Sequence, residues 1–216
     1  MKIAVRFWLF IVLPLSGCHL SSGNGNEQEP ARTLPEPAVA VAKWKKELLD
    51  SKQLGSPCRE AGGDSVRGWQ AKNPNQDNAW PASDRDVTTV QTDLNDDGEN
   101  ELLLYFQSEN CSGHNGGTPA YAKLIYADGK EDAHLMEEIR KNILIEYNRK
   151  RSTDSTLPEV TNQYLDGTTT MVYGDSINGE FQLYKADDAH CCPSFNGSYA
   201  YYLNPVRMHI QLHGNQ

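Results

Sequence analysis

The stretch DLNDDGENELLLYF, Asp93 to Phe106, contains the most specific pattern in the chain. Its first half alternates acidic and amide side chains before a glycine, and its second half is a short apolar run bounded by polar residues. The residues before it, VTTVQT from Val87, are rich in β-branched side chains and favour a strand. The stretch therefore predicts two strands joined by an acidic loop.

The acidic loop carries oxygen ligands at a spacing that suits a hard cation. Relative positions one, three, five and nine offer side-chain oxygens, and position seven offers its backbone carbonyl. The predicted calcium ligands are Asp93, Asn95, Asp97, Glu99 and Glu101. Leu104 stands where an EF-hand needs a bidentate glutamate, so the loop is not an EF-hand. The alternative is an empty polar turn, in which Asn and Asp tolerate left-handed backbone and Gly98 closes the bend.

This strand-loop-strand setting resembles the calcium loops of FG-GAP and VCBS-type repeats, as in the propeller blades of integrin α-chains. Asp96 stands where those repeats often carry glycine, and the lack of a second copy excludes a propeller. The chain also resembles a loose group of small, mostly uncharacterised bacterial lipoproteins and exported proteins. The elements that carry this resemblance are LSGC from Leu15, the acidic loop, CSGHNGG from Cys111 and CCP from Cys191, in this order. This second resemblance implies an architecture and no particular activity.

The first eighteen residues, MKIAVRFWLFIVLPLSGC, have the pattern of an export signal. Two basic residues precede an apolar core from Phe7 to Leu15, which is far shorter than the roughly 20 residues of a membrane-spanning helix. The segment ends in LSGC and resembles the lipobox of bacterial lipoproteins, which implies cleavage before Cys18 and lipidation of its thiol. An ordinary cleaved signal peptide is the alternative. The resemblance to Gram-negative lipoproteins also implies sorting to the outer membrane, because His19 and not aspartate follows the cysteine.

The domain organisation follows from this segment. Residues 1–17 are the expected signal peptide, and residues 18–38 are the expected lipidated cysteine and disordered tether, since they are rich in Ser, Gly, Asn, Glu and Pro. Residues 39–216 are the expected single globular domain. The formal net charge of −9 argues against nucleic acid and against docking of the domain on anionic lipid headgroups. Acyl chains on Cys18 would therefore supply the membrane contact.

Export places the four other cysteines, Cys58, Cys111, Cys191 and Cys192, where disulfides persist. Three pairings are open. We favour two divergent bridges from Cys191 and Cys192 to the two earlier cysteines, because neighbours in an extended segment point to opposite sides. A bridge between Cys191 and Cys192 would close a small, distorted ring. The alternative is a zinc site formed by two thiolates and two imidazoles, from Cys111, His114, His190 and Cys191.

Helical periodicity appears twice in the chain. Val41, Trp44 and Leu48 predict a helix over Ala40–Ser51. A longer series predicts a second helix from Glu131 to about Lys150, through Leu135, Met136, Ile139, Ile143 and Tyr147. The alternative is that ILIEY, which begins at Ile143, forms a strand of its own.

The other apolar segments predict strands, with turns at Asp128-Gly129 and Asn178-Gly179. The expected fold class is α+β: a mainly antiparallel sheet of five to seven strands with two helices, stapled by disulfides. The long segment Cys58–Asp86 reads as loop, with Trp69 and Trp80 forming either a small core or a ligand groove.

Common catalytic motifs are absent, since the chain has no G-x-S-x-G, H-E-x-x-H or P-loop sequence. We therefore expect a membrane-anchored envelope protein that binds a protein partner, in an assembly or inhibitor role, with calcium as the cofactor of the acidic loop. An acidic tethered domain would suit capture of a basic enzyme. The alternatives are a calcium-dependent envelope hydrolase, which a raised pKa of Glu99 or Glu101 beside a cleft would favour, and a purely structural spacer.

Overall fold

The computed structural model describes residues 33–59, 66–111, 118–189 and 192–213, which belong to one compact unit spanning Arg32–Gln216. The predicted signal peptide, Cys18 and residues 19–32 of the tether lie outside the described residues. His114, His190 and Cys191 also lie outside them. In the described part of the chain, no helix combines the length and apolarity needed to cross a membrane.

The described residues form three α-helices and ten strands. The helices are α1 (Pro37–Asp50), α2 (Val66–Lys72) and α3 (Leu135–Thr153). The strands are β1 (Asn78–Ala79), β2 (Thr88–Thr92), β3 (Glu101–Gln107), β4 (Glu109–Asn110), β5 (Ala120–Ile125), β6 (Glu131–Asp132), β7 (Asn162–Tyr173), β8 (Ser176–Tyr184), β9 (Phe195–Leu203) and β10 (Val206–His213).

Two four-stranded sheets carry the fold. The first has the order β2-β3-β5-β6 and the second β10-β9-β8-β7, and the short strands β1 and β4 form a separate pair. All pairings between named strands are antiparallel. This confirms the predicted α+β class, with more strands than expected because β1, β4 and β6 have only two residues each.

Strand β3 is buried on both faces. Leu102, Leu104 and Phe106 point to one side and pack with α1, whereas Leu103 points to the other and joins the core around α3. The same alternation holds in β5. The first sheet is therefore the middle layer of the domain, with α1 on one side and α3 on the other.

Both predicted helices are confirmed, with shifted starts. Helix α1 begins at Pro37, where the Glu36 side chain accepts a hydrogen bond from Val39 N at 3.0 Å. Helix α3 begins at Leu135, because Glu131 and Asp132 pair with β5 as β6. The buried face of α3 contains all five of the periodic apolar residues, and it packs against both sheets.

The predicted turn at Asn178-Gly179 is wrong. Asn178 pairs with Ala200 and Gly179 with Tyr199 in the middle of the β8–β9 ladder, and the hairpin turns instead at Gly174, with φ +60°. Glycine at position 179 makes room for a ring: a Cβ there would lie 2.7 Å from the Tyr199 hydroxyl oxygen. Close packing, and not turn geometry, explains this glycine.

The segment expected to be loop contains the short helix α2 and two buried tryptophans. Trp80 packs in the α1 core, and Trp69 packs against the disulfide region and donates from Nε1 to the Ser56 carbonyl at 2.8 Å. These rings are therefore core residues and do not line a ligand groove. The sequence does not predict α2 because seven residues with a glycine at the third position give no periodic signal.

A buried cation fastens α1 to the first sheet. Lys123 on β5 is only 3% exposed, and its Nζ lies 2.6 Å from carboxylate oxygens of both Glu47 on α1 and Glu131 on β6. Lys43 on α1 also contacts Glu131 at 2.6 Å. Two carboxylates thus compensate the one desolvated ammonium.

We expect Glu131→Gln to lower the free energy of unfolding by about 2 kcal/mol at neutral pH, because buried Lys123 loses a charged acceptor. Hydrogen bonds from Lys123 and then Lys43 hold the pKa of Glu131 below its ordinary value of 4.5. The stabilisation is therefore present above that pH and is lost as pH falls through the folded-state pKa. Urea unfolding across this pH range measures both effects.

The matched control is Glu137→Gln on the exposed first turn of α3. It should change the free energy of unfolding by no more than about 0.5 kcal/mol. Equal losses in the two variants would contradict a special role for the Lys123 contact.

Candidate functional site

The acidic loop lies between β2 and β3, and its side chains fold back on its own backbone. Asp93 accepts hydrogen bonds from Asp97 N at 3.1 Å and from Gly98 N at 2.9 Å. Asn95 Oδ1 also accepts from Asp97 N, and Asp97 Oδ1 accepts from Glu99 N, both at 2.9 Å. Gly98 has φ +90°, which a residue with a side chain rarely adopts.

Glu101, the first residue of β3, closes the loop. Its side chain is buried, at 1% exposure, and accepts hydrogen bonds from Leu94 N at 2.7 Å and Asn95 Nδ2 at 3.0 Å. Burial raises the pKa of Glu101, the hydrogen bond from Leu94 N opposes this, and the negative charges of Asp97 and Asp93 raise it further. Glu101 is therefore a desolvated carboxylate with neutral donors and acidic neighbours.

A cavity of about 460 Å³ adjoins this loop. Four of the five predicted ligands line it, all except Asp93. The opposite wall is the β5–β6 turn, from Tyr126 to Lys130, where Lys130 forms an ion pair with Asp128 at 2.7 Å. The structure thus brings four of the five predicted ligand residues to one cavity. Their carboxylate oxygens do not converge into one tight cluster within the described residues.

The loop also contacts the second sheet. Asn204, in the turn between β9 and β10, donates from Nδ2 to the Asn95 carbonyl at 2.8 Å. A residue 109 positions away in sequence therefore helps to position the acidic loop.

The favoured disulfide pairing is wrong, because Cys58 bonds to Cys111, with their Cα atoms 5.6 Å apart. Strand pairing explains this: Ala79 pairs with Glu109 and also bridges to Gly55, which brings the two segments together. Of the three pairings, only the one that joins Cys191 to Cys192 is compatible with this bond.

The same bond removes Cys111 from the zinc ligands considered above. The structure does place Cys58, Glu109 and Cys111 close together, but both sulfurs are in the disulfide. A disulfide sulfur is not the thiolate that binds zinc. This group is therefore a structural staple.

Sequence reasoning missed a second cavity, on the second sheet. The face of this sheet toward α3 carries the buried residues of the core, including Ile177, Tyr199, Tyr201 and Ile210. We call the opposite side the open face; its residues are Met171, Tyr173, Asn178, Glu180, Ser198, Ala200, Tyr202, Arg207, His209 and Gln211. A cavity of about 720 Å³, the open-face groove, lies on it.

Exposed aromatic, sulfur and guanidinium groups mark one end of the open face. Met171 is 60% exposed and Tyr173 is 82% exposed. The Arg207 guanidinium stacks on the Tyr202 ring, with its carbon 3.9 Å from the ring centroid, and lies 4.0 Å from Asp175. Of the three tyrosines in the YAYY segment, Tyr199 and Tyr201 are buried, and Tyr202 is the one that faces outward.

Comparison of the chain with protein-family models, with curated proteins and with solved structures gives no significant match in any of the three. Function must therefore be inferred from the residues themselves. The features that carry such an inference are the acidic loop with its cavity and the open face of the second sheet.

We expect the free energy of unfolding, measured in EDTA, to fall as pH rises from 4.5 through the folded-state pKa of Glu101. The folded state holds this proton more tightly than the unfolded chain does, so the stabilisation is full at low pH and is lost on ionisation. Glu101→Gln should remove this decline, seen as a pH-dependent difference from the wild type in urea unfolding.

Glu99→Gln, an exposed change in the same loop, should retain the decline because it leaves Glu101 in place. If the free energy of unfolding of Glu101→Gln falls with rising pH as much as that of the wild type, the decline does not come from ionisation of Glu101.

Proposed function

We propose that this chain is a lipid-anchored protein of the cell envelope that binds a protein partner and does not catalyse a reaction. In this proposal Cys18 carries the anchor in the outer membrane, and the tether lets the domain reach its partner in the periplasm. The partner contacts the open face of the second sheet. The role is envelope assembly or inhibition of another envelope protein.

The observation that carries the proposal is the composition of the open face. Tyrosine, methionine and arginine are enriched in protein–protein interfaces, and Met171, Tyr173 and Arg207 are all exposed here on one side of one sheet. Tyr173 pairs with Ser176, which pairs with Tyr202, so the two aromatic side chains lie in one row across the strands. A cluster of exposed aromatic and apolar side chains on one face indicates a contact surface, whereas single exposed apolar residues scattered over a protein do not.

The net charge of −9 supports a basic partner. An acidic surface accelerates encounter with a positively charged protein and disfavours acidic ones. Capture of a basic envelope enzyme is the inhibitor role that this charge favours.

The partner test is crosslinking and pull-down from envelope extract with residues 19–216. The double variant Met171→Ser/Tyr173→Ser should weaken capture of a dominant partner by about tenfold or more, since interface anchors commonly cost over 1.4 kcal/mol. The matched control is Val39→Ser/Ile145→Ser, which removes two exposed apolar residues from α1 and α3.

Wild-type capture with equal loss in both double variants would contradict the open face as the contact surface. Absence of any dominant partner would contradict protein binding and favour the structural spacer.

The acidic loop is proposed to bind calcium as a staple between β2 and β3. Its carboxylate and carbonyl oxygens are the ligands that calcium prefers, and Glu101 is desolvated beside further negative charge without an internal cation at hydrogen-bond distance among the described residues. A bound divalent cation would supply the missing compensation. Because Asn204 holds the loop to the second sheet, the staple would also steady the β9–β10 turn.

Calcium at about 100 times its Kd should raise the Tm by roughly 5–10 °C, from about 2.7 kcal/mol of binding-linked stabilisation. Asp93→Asn/Asp97→Asn should abolish this shift, because asparagine keeps the turn geometry but removes two charges. Scanning calorimetry in EDTA and in calcium measures the shift, and exposed Asp77→Asn is the control. No calcium-dependent shift in the wild type would contradict the staple.

A calcium-dependent hydrolase is the second candidate, because Glu101 has a raised pKa and lines the 460 Å³ cavity. Both Glu101 oxygens already accept hydrogen bonds, and the side chain is 1% exposed, which favours a structural role. Hydrolysis of an envelope substrate that Glu101→Gln abolishes, and Glu99→Gln does not, would favour the enzyme.

A further inference from the structure

The open-face groove follows the central strand β9. Its floor contains the small residues Ser198 and Ala200. The walls come from the neighbouring strands: Glu180 and Gln211 flank Ser198, and a second pair, Asn178 and His209, flanks Ala200. Since neighbouring strands lie about 4.8 Å apart, the walls are about 10 Å apart, which is wide enough for one side chain of a partner.

The groove has an uncompensated negative charge. Among the described residues that line it, Glu180 is the only one with a formal charge when histidine is neutral, and none is lysine or arginine. Glu180 is exposed and has no ion pair within the described residues. Arg207 is the cationic residue of the open face. Its guanidinium contacts Asp175 and the Tyr202 ring, and Arg207 is not among the residues that line the groove.

The rest of the lining suits the stem of a long side chain. Met171 and Ala200 offer apolar surface, and the hydroxyl and amide groups of Ser198 and Gln211 offer neutral hydrogen-bond acceptors. Lysine and arginine combine an apolar stem with a charged head in this way. An anionic side chain in the groove would be repelled by Glu180, because the described lining contains no lysine or arginine to compensate the two negative charges.

We propose that the open-face groove receives a lysine or arginine side chain of the protein partner, with its cationic head against Glu180. This inference rests on the proposed function and adds the chemistry of the partner: a basic protein that presents an extended cationic side chain. The net charge of −9 steers such a protein toward the domain, and the groove selects the side chain.

The probe is a fluorescein-labelled tetralysine peptide, titrated with the full chain in neutral detergent at about 150 mM salt and followed by fluorescence polarisation. Glu180→Gln should weaken binding about fivefold, as expected for one partly exposed ion pair. Glu180→Lys and Ala200→Phe should abolish it, the first by repulsion and the second by filling the floor. Exposed Glu137→Gln, which makes the same change of net charge on α3, should leave binding within about twofold.

Equal weakening by Glu180→Gln and Glu137→Gln would overturn the inference, because net charge alone would then explain binding. Binding of tetraglutamate as tight as that of tetralysine would also overturn it. If partner capture is retained in Glu180→Lys but lost in Met171→Ser/Tyr173→Ser, the proposed cation site in the groove is wrong, while the proposed protein-binding function is supported. Tetralysine binding that depends on Glu180, with no protein partner found, would support the cation site while contradicting the proposed function.

Discussion

The burial of β3 on both faces is the constraint from which the rest of the fold follows. A strand with leucine at three successive positions cannot leave either face in water without exposing large apolar side chains. Each side of the first sheet therefore requires a covering layer. Helix α1 supplies one, and α3 supplies the other together with the second sheet.

Two buried charged residues of the first sheet, Lys123 and Glu101, differ in whether an opposite charge compensates them. Lys123 has two carboxylates at 2.6 Å, so its charge is compensated within the chain. Among the described residues, Glu101 has only neutral donors at hydrogen-bond distance, and the charges of Asp97 and Asp93 raise its pKa. This contrast is the physical reason for proposing a cation at the acidic loop and for regarding the Lys123 cluster as structural.

In the part of the chain that the structure describes, the second sheet is asymmetric because α3 covers one of its faces. Helix α3 lies between the sheets and buries the face that carries Tyr199, Tyr201 and Ile210. The opposite face keeps alternating polar and large side chains around a groove. The same alternation along β8, β9 and β10 thus builds both the core and the surface that we propose as the binding site.

The sequence by itself determined the local elements: α1 and α3 from helical spacing, and the β2-loop-β3 unit from its acidic and apolar pattern. These depend on residues within a few positions of each other, so periodicity and turn chemistry suffice. Tertiary structure decided the partner of Cys58, through the pairing of β1 with β4, and the role of Gly179, through the ring of Tyr199. It also decided which side of the second sheet stays open, because that depends on where α3 packs, and no local pattern specifies contacts between residues so far apart in the chain.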